Sequence, residues 1–210
     1  MEIKTLTLEG IHTNCYLLTS NQQALLIDPG SQPGRLLRHL GNLQLVGILL
    51  THGHYDHTGA VDALVSQYHC PVFLHQNDFP WVGKAQPEAG KGMIRVVPLE
   101  SEITPLQTGE WQLGNFSGKV FLTPGHSEGS VMIRMGEHLF TGDTLFHDTV
   151  GRTDLYGGSD AQMADSCRFI LTLKSQLHFY PGHGPKGILK QEFLTNPFLL
   201  DPQNVFLIQD

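Results

Sequence analysis

Cysteine is scarce: three residues in 210, at positions 15, 70 and 167, with no Cys-x-x-Cys pair. So small and widely spaced an odd set argues against a disulfide scaffold or a thiolate-bound zinc, and fits a reducing compartment. Long apolar runs are missing too. None approaches the ~20 residues of a membrane span, and the opening Met-Glu-Ile-Lys-Thr-Leu lacks the basic-then-apolar order of a secretory signal. The expected compartment is the cytoplasm, with no membrane partner. No block of Lys and Arg occurs either. With 13 basic and 20 acidic residues the formal charge is −7, whereas a protein that tracks phosphates needs a locally basic surface. Nucleic acid is therefore not an expected partner. Apolar content of 40% and charged content of 16% belong to a folded chain rather than a disordered one. The length suits one domain over 1–210 with a sizeable core.

What is abundant is histidine, and it is clustered. Thr51-His52-Gly53-His54-Tyr55-Asp56-His57 places three imidazoles and a carboxylate within six residues, directly after an apolar run at 45–50. Neutral imidazole and carboxylate are ligands for zinc, iron or manganese. Three more candidates follow: His126 in Thr-Pro-Gly-His, Asp143 in Phe-Thr-Gly-Asp, and His183 in Tyr-Pro-Gly-His-Gly. Each stands on a glycine-containing turn just after a short apolar or aromatic run, where a strand end would deliver it to a shared site.

Strands are expected at 6–8, 14–18, 24–28, 45–50 and 71–74, then at 111–113, 119–123, 130–135, 138–141 and 178–180, the second set pairing largely antiparallel. Helices are expected over 35–40, from a Thr58 cap through Tyr68, and from a Ser159 cap to about Lys174. Residues 76–98, broken by Pro80, Gly83, Pro87, Gly90 and Gly92, suggest a long loop or lid. Phe79 and Trp81 within it either line an entrance or collapse on the loop itself. Cys15 and Cys167 sit in apolar runs and are expected to pack. The apolar tail around 198–200 and 205–208 is expected to dock on its own domain or on a partner.

His52 and His54, two apart, can approach one metal from neighbouring directions, while Asp56 and His57 point elsewhere, towards a second. His126 and His183 are the distant ligands that would complete the two sets. Asp143 can bridge, because a carboxylate has two oxygens; its rival role is an Asx turn after Gly142. Two ions ~3.5–4 Å apart can share and activate a hydroxide.

His-x-His-x-Asp-His followed by His, Asp and His in this order resembles the metallo-β-lactamase superfamily, over nearly the whole chain. Within it the chain is most similar to glyoxalase II-like (hydroxyacylglutathione hydrolase-like) proteins, through Thr-His-Gly-His-Tyr-Asp-His, Thr-Pro-Gly-His-Ser, Thr-Gly-Asp-Thr-Leu-Phe and Gly-Arg-Thr-Asp at 151–154. That resemblance implies an α/β fold, a four-layer αββα sandwich. It implies His52, His54 and His126 on one metal, Asp56, His57 and His183 on the second, and Asp143 between them. It also suggests Asp28 as a residue that orients a ligand histidine. Arg152 and Asp154 either pair beneath the site or touch substrate. Only 27 residues follow His183 (210 − 183), too few for the helical domain that grips glutathione in full glyoxalase II, so a compact form is expected.

The implied function is hydrolysis of a small thioester, S-lactoylglutathione-like, by a hydroxide bridging two divalent metal ions, zinc first, with iron or manganese as alternatives. Asp56 and Asp143 carry the catalytic roles. The competing function is a mononuclear-iron persulfide dioxygenase using His52, His126 and Asp143. A dinuclear-zinc β-lactamase would often carry Cys at position 143, and a flavo-diiron oxygen reductase would carry Glu at position 54. A degenerate binding module would have lost ligands.

Overall fold

The computed structural model describes residues 1–84, 86–88, 92–94 and 98–207, with the backbone alone at 86–88, 92–94 and 206–207. In chain order it opens with β1 (Glu2–Thr7), β2 (Asn14–Ser20), β3 (Gln23–Ile27), α1 (Pro33–Leu40) and β4 (Gln44–Leu49). There follow α2 (Tyr55–Thr58), α3 (Val61–Tyr68), β5 (Val72–Leu74), the short hairpin β6 (Gln86–Glu88) and β7 (Gly92–Ile94), and β8 (Ile103–Pro105). Next come β9 (Gly109–Leu113), β10 (Phe116–Leu122), β11 (Val131–Met135), β12 (His138–Gly142), β13 (Leu145–Phe146) and β14 (Thr149–Val150). The chain closes with α4 (Asp160–Ile170), β15 (His178–Pro181), β16 (Gly187–Ile188), α5 (Leu189–Thr195), α6 (Pro197–Leu200) and a 3-10 turn at Pro202–Leu207.

Two six-stranded mixed sheets result, ordered β1-β2-β3-β4-β5-β8 and β16-β15-β12-β11-β10-β9. Successive strand residues face opposite sides of a sheet, and the sequence uses both sides. Tyr16, Leu18, Leu25, Ile27 and Leu49 of the first sheet meet Phe116, Val120, Val131, Ile133 and Phe140 of the second in the central core. Their strand neighbours Cys15, Leu17, Ala24, Leu26 and Ile48 face outward onto Leu36 and Leu40 of α1 and Val61 and Leu64 of α3. On the far side, Met132, Leu139 and Phe179 meet Met163, Cys167 and Ile170 of α4, with Leu189 and Leu199. Helices therefore flank a pair of packed sheets, which is the expected αββα sandwich. A one-residue register slip in β2 or β3 would exchange its two apolar faces.

Three details differ from the sequence expectation. Thr58 does not cap a helix; it ends α2, its hydroxyl donating to the Tyr55 carbonyl at 3.5 Å, and α3 starts afresh at Val61. The Asp28-Pro29-Gly30 turn wedges in here, with the Ala60 N–H donating to the Pro29 carbonyl at 2.9 Å. A Cβ on Gly59 would stand only 2.5 Å from the Gly30 carbonyl oxygen. Secondly, α4 does start on its Ser159 cap but ends at Ile170. Thr172 and Leu173 donate three residues back, to Phe169 and Ile170, so the last turn tightens into 3-10 geometry. Thirdly, the described part of 76–98 is not structureless: a 3-10 turn at Gln76–Asp78 and the β6–β7 hairpin occupy it. Residues 85, 89–91 and 95–97 lie outside the described residues.

The three cysteines are free and buried. Among the described residues no helix is long and apolar enough to cross a membrane. In the described part of the tail, Leu199 and Val205 are buried against α4; the side chains at 206 and 207 and residue 208 lie outside the described residues.

Candidate metal centre

Strand direction explains why the candidate ligands meet. The chain leaves β3, β4, β10, β12 and β15 at one common edge of the sandwich, and the turns that follow carry Asp28, His52 to His57, His126, Asp143 and His183 in that order. The Val131 N–H donates to the Thr51 carbonyl at 2.9 Å, joining the two sheets there.

All seven candidates converge. His54 Nδ1 lies 2.8 Å from His126 Nε2, and the donor atoms of His52, His54 and His126 fall within 4.8 Å of one another. Asp56 Oδ2 lies 3.2 Å from both His57 Nε2 and His183 Nε2. Asp143 stands between these groups: Oδ1 is 3.4 Å from His57 Nε2, while Oδ2 is 3.4 Å from His126 Nε2 and 3.5 Å from His183 Nε2. Two ligand atoms bound to one ion at ~2.1 Å can be at most ~4.2 Å apart, and the His54–His126, Asp56–His57, Asp56–His183 and three Asp143 distances are all shorter. Buried His52 Nε2, His57 Nε2 and Asp143 Oδ1 have no hydrogen-bond partner, which is costly unless something else satisfies them. Buried imidazoles and carboxylates with unsatisfied lone pairs at this spacing suit divalent cations.

The outward ring nitrogens of His52, His57, His126 and His183 are anchored, which selects the inward lone pair, whereas His54 presents Nδ1 to the centre and its buried Nε2 has no hydrogen-bond partner. His57 Nδ1 donates to Asp28 Oδ2 at 3.0 Å, and the same carboxylate accepts the Thr51 N–H at 2.8 Å and the Thr51 hydroxyl at 2.7 Å. Thr51 Oγ1 also lies 3.1 Å from His52 Nδ1. Asp28 thus steadies His57 directly and His52 through Thr51. It takes φ +54° to do so, a left-handed conformation that Asp tolerates better than most residues. His126 Nδ1 donates to the Arg152 carbonyl at 2.7 Å and His183 Nδ1 to the Ile11 carbonyl at 3.2 Å.

Arg152 therefore reaches the centre through its backbone. Its guanidinium makes a two-pronged pair with Asp154 at 2.6 and 2.5 Å, both side chains more than a third exposed. The guanidinium and the carboxylate therefore meet each other at the surface. Phe79 packs into the helix-side core, whereas Trp81 is buried with its ring 5.1 Å from that of His54. A cleft of about 440 Å³ opens beside it, lined by Trp81, Glu128, Tyr156 and Gln162 among others.

Three contributors carried no sequence signal. Thr13 donates to Asp56 Oδ2 at 2.8 Å, and Asn14 and Tyr16 bind the Pro181 carbonyl at 3.1 and 2.5 Å, stitching β2 to the turn that bears His183. Gly182 in that turn has no room for a side chain, since a Cβ would stand 2.0 Å from Asp143 Oδ1 and 2.7 Å from His57 Cε1.

The electrostatics of the two ligand groups differ. Burial holds His52, His54 and His126 below the usual imidazole range, His54 at about 3. Burial also opposes protonation of His57 and His183, but adjacent carboxylates win. Asp56, Asp143 and Asp28 raise His57 well above that range, and Asp143 and Asp56 raise His183 to about 9. Burial would raise Asp56 and Asp143 in turn, yet their histidine neighbours hold both far below the carboxylate range.

The family profile described as "Metallo-beta-lactamase superfamily" matches residues 8–183. The chain belongs to the metallo-β-lactamase superfamily. This superfamily member is 34% identical over 207 residues to the "Probable metallo-hydrolase YqgX" of Bacillus subtilis (strain 168), covering 95% of this chain and 98% of the relative. It is 30% identical to the "Hydroxyacylglutathione hydrolase GloC" of Haemophilus influenzae, again covering 95% and 98%. Among solved structures it is similar to BLEG-1, titled a B3 metallo-beta-lactamase, with TM-score 0.83, 35% identity and coverage of 94% and 99%. It is also similar to TTHA1623 in a di-iron-bound form, with TM-score 0.82, 38% identity and coverage of 93% and 100%. It is a metallo-hydrolase of that superfamily.

Proposed function

We propose that residues 1–210 form one hydrolase domain that uses two divalent cations to cleave a small thioester of the hydroxyacyl-thiol class. His52, His54 and His126 would hold one cation and Asp56, His57 and His183 the other, with Asp143 shared. The observation that carries this reading is the placement of Asp143 Oδ2, 3.4 Å from His126 and 3.5 Å from His183. Zinc fits the donor set, and so do iron and manganese.

When bound, the cations would supply Lewis acidity towards the acyl carbonyl and hydroxide near neutral pH. Asp56, held by Thr13, keeps an acceptor aimed inward and orients the attacking water. The Asp28, Arg152 and Ile11 acceptors keep the rings from turning. The groups aimed at the centre are imidazole nitrogens and carboxylate oxygens that serve as ligands. A leaving group that departs as an anion therefore suits the site better than an amine that must be protonated. A thiolate, with an ordinary pKa of about 8.5, is such a group, and a relative named as a hydroxyacylglutathione hydrolase supports the same choice.

The test is a direct comparison on the metal-loaded chain. S-lactoylglutathione, a non-glutathione hydroxyacyl thioester, a β-lactam, and glutathione persulfide with oxygen uptake are assayed side by side. Thioester cleavage should dominate, vanish on strong chelation, and return with zinc, iron or manganese. Unchanged thioester cleavage by metal-free protein would overturn the mechanism. Dominant β-lactam cleavage or oxygen uptake would overturn the substrate class.

A further inference from the structure

Asp78 belongs to none of the ligand groups, yet its side chain is wholly buried and sits where the two ligand-bearing loops meet. Its Oδ2 accepts the Gly53 N–H at 2.9 Å and the Ser127 hydroxyl at 2.8 Å, and its Oδ1 accepts the Gly129 N–H at 2.6 Å. Gly53 is the residue between His52 and His54, and Ser127 directly follows His126. One carboxylate therefore grips the backbone between His52 and His54 and the hydroxyl of the residue after His126, while touching none of their rings. We propose that Asp78 is a positioning residue that sets the spacing of His52, His54 and His126, and with it the cation affinity of this group. The inference rests on the two-cation reading above.

Three features support a role beyond packing. The bonded neighbours are all donors, so the position calls for a group that only accepts, and an amide would turn an N–H against one of them. The approach is too close for side chains on the partner loops: a Cβ on Gly129 would stand 2.5 Å from Asp78 Oδ1. The same residue also holds the lid over this group through its main chain. Its carbonyl accepts from Trp81 and Val82, and the Trp81 ring covers Gly53 and lies tilted beside His54.

Keeping this carboxylate buried is not favourable in itself. Desolvation pushes its pKa up to about 6, against the pull of the Ser127, Gly53 and Gly129 donors. A group with a raised pKa binds protons more tightly in the folded state, so its ionisation lowers stability as pH rises through that range. The role that remains is geometric: an anionic clamp on the loops of three neutral ligands, of the kind that tunes metal sites from outside the ligand set.

The experiment is zinc titration of the metal-free full-length chain by calorimetry, without substrate, beside thermal unfolding of the same metal-free samples. The wild type should take up two equivalents. Asp78→Asn should weaken one step by roughly 10–100-fold and leave the other within about threefold, in a metal-free chain that still unfolds cooperatively. The weakened step should be the one that His54→Ala removes. Ser127→Ala, which deletes a single donor, should weaken the same step by a smaller factor and keeps the test sound should Asp78→Asn fail to fold. Two unchanged binding steps in a folded Asp78→Asn, or in Ser127→Ala where Asp78→Asn does not fold, would overturn the proposal while leaving the two-cation reading intact. Failure of the wild type to bind zinc, iron or manganese would overturn that reading, and this inference with it.

Discussion

The two ligand groups at the sheet edge reach the same end by opposite electrostatics. His52, His54 and His126 are neutral rings, kept so by burial. Asp56, His57 and His183 form a charged knot in which carboxylates hold protons on the rings. In the metal-free chain those protons do the work that a cation would do, balancing Asp56 and Asp143. The neutral group is ready for a cation as it stands, whereas the charged group must first release protons. The anchoring differs in degree as well. The charged group is braced by two side chains, Asp28 on His57 and Thr13 on Asp56, and by one backbone carbonyl, that of Ile11 on His183. The neutral group is braced more through backbone, by the Arg152 carbonyl on His126 and by Asp78 on the flanking N–H groups.

The largest test of this contrast removes what the groups share. Asp143→Ala should lower thioester cleavage by roughly a thousandfold and reduce bound metal, measured by turnover and elemental analysis. Full activity with intact metal would end the bridging assignment. His57→Ala should separate the groups, leaving about one equivalent of metal and losing most hydrolysis. Two retained equivalents would show that the charged group does not depend on this ring. Asp28→Asn, which deprives His57 of its acceptor, should cost about 10–100-fold in affinity, with the larger loss in the charged group.

pH sharpens the comparison without mutation. Below about 9, His183 carries a proton that an incoming cation must displace, so affinity of the charged group should fall about tenfold per pH unit for each proton released. At pH 7 His54, at about 3, has no proton to lose, so the neutral group should show a flat profile between pH 6 and 8. Equal slopes in calorimetry across several buffers would erase the distinction. The smallest effect belongs to Arg152→Ala. It removes an exposed ion pair worth at most about 1 kcal/mol and leaves the carbonyl on His126, so metal content and unfolding should barely change. A large rise in KM would instead give the guanidinium a place against substrate.

Much of this was legible along the chain. The apolar run at 45–50 ending on His-x-His-x-Asp-His marked both a covered strand and the loop after it. Pro-Gly-His and Thr-Gly-Asp each closed an apolar run, and those turns do carry His126, His183 and Asp143. Asp28 was legible only through resemblance, because nothing near it in sequence says that its carboxylate faces Thr51 and His57 across 23 and 29 positions. Thr13, Asp78 and Ser127 were not legible at all. A threonine before a strand, or an aspartate in a proline-interrupted segment, reads as an ordinary turn former. The break between α2 and α3 was missed for a similar reason: the backbone that interrupts the helix comes from Pro29 and Gly30.

Residue type and local order alone determined the chemistry this protein can attempt and the alternation that makes two sheets bury both faces. Those are properties of side-chain donor atoms and of a two-residue period, and neither requires knowing what lies opposite. Which ring faces which carboxylate, which nitrogen keeps its proton, and which polar groups brace the loops were decided only when β3, β4, β10, β12 and β15 came to end at one edge. Hydrogen bonds and desolvation act over a few ångströms of space, and separation along the chain carries no measure of that distance.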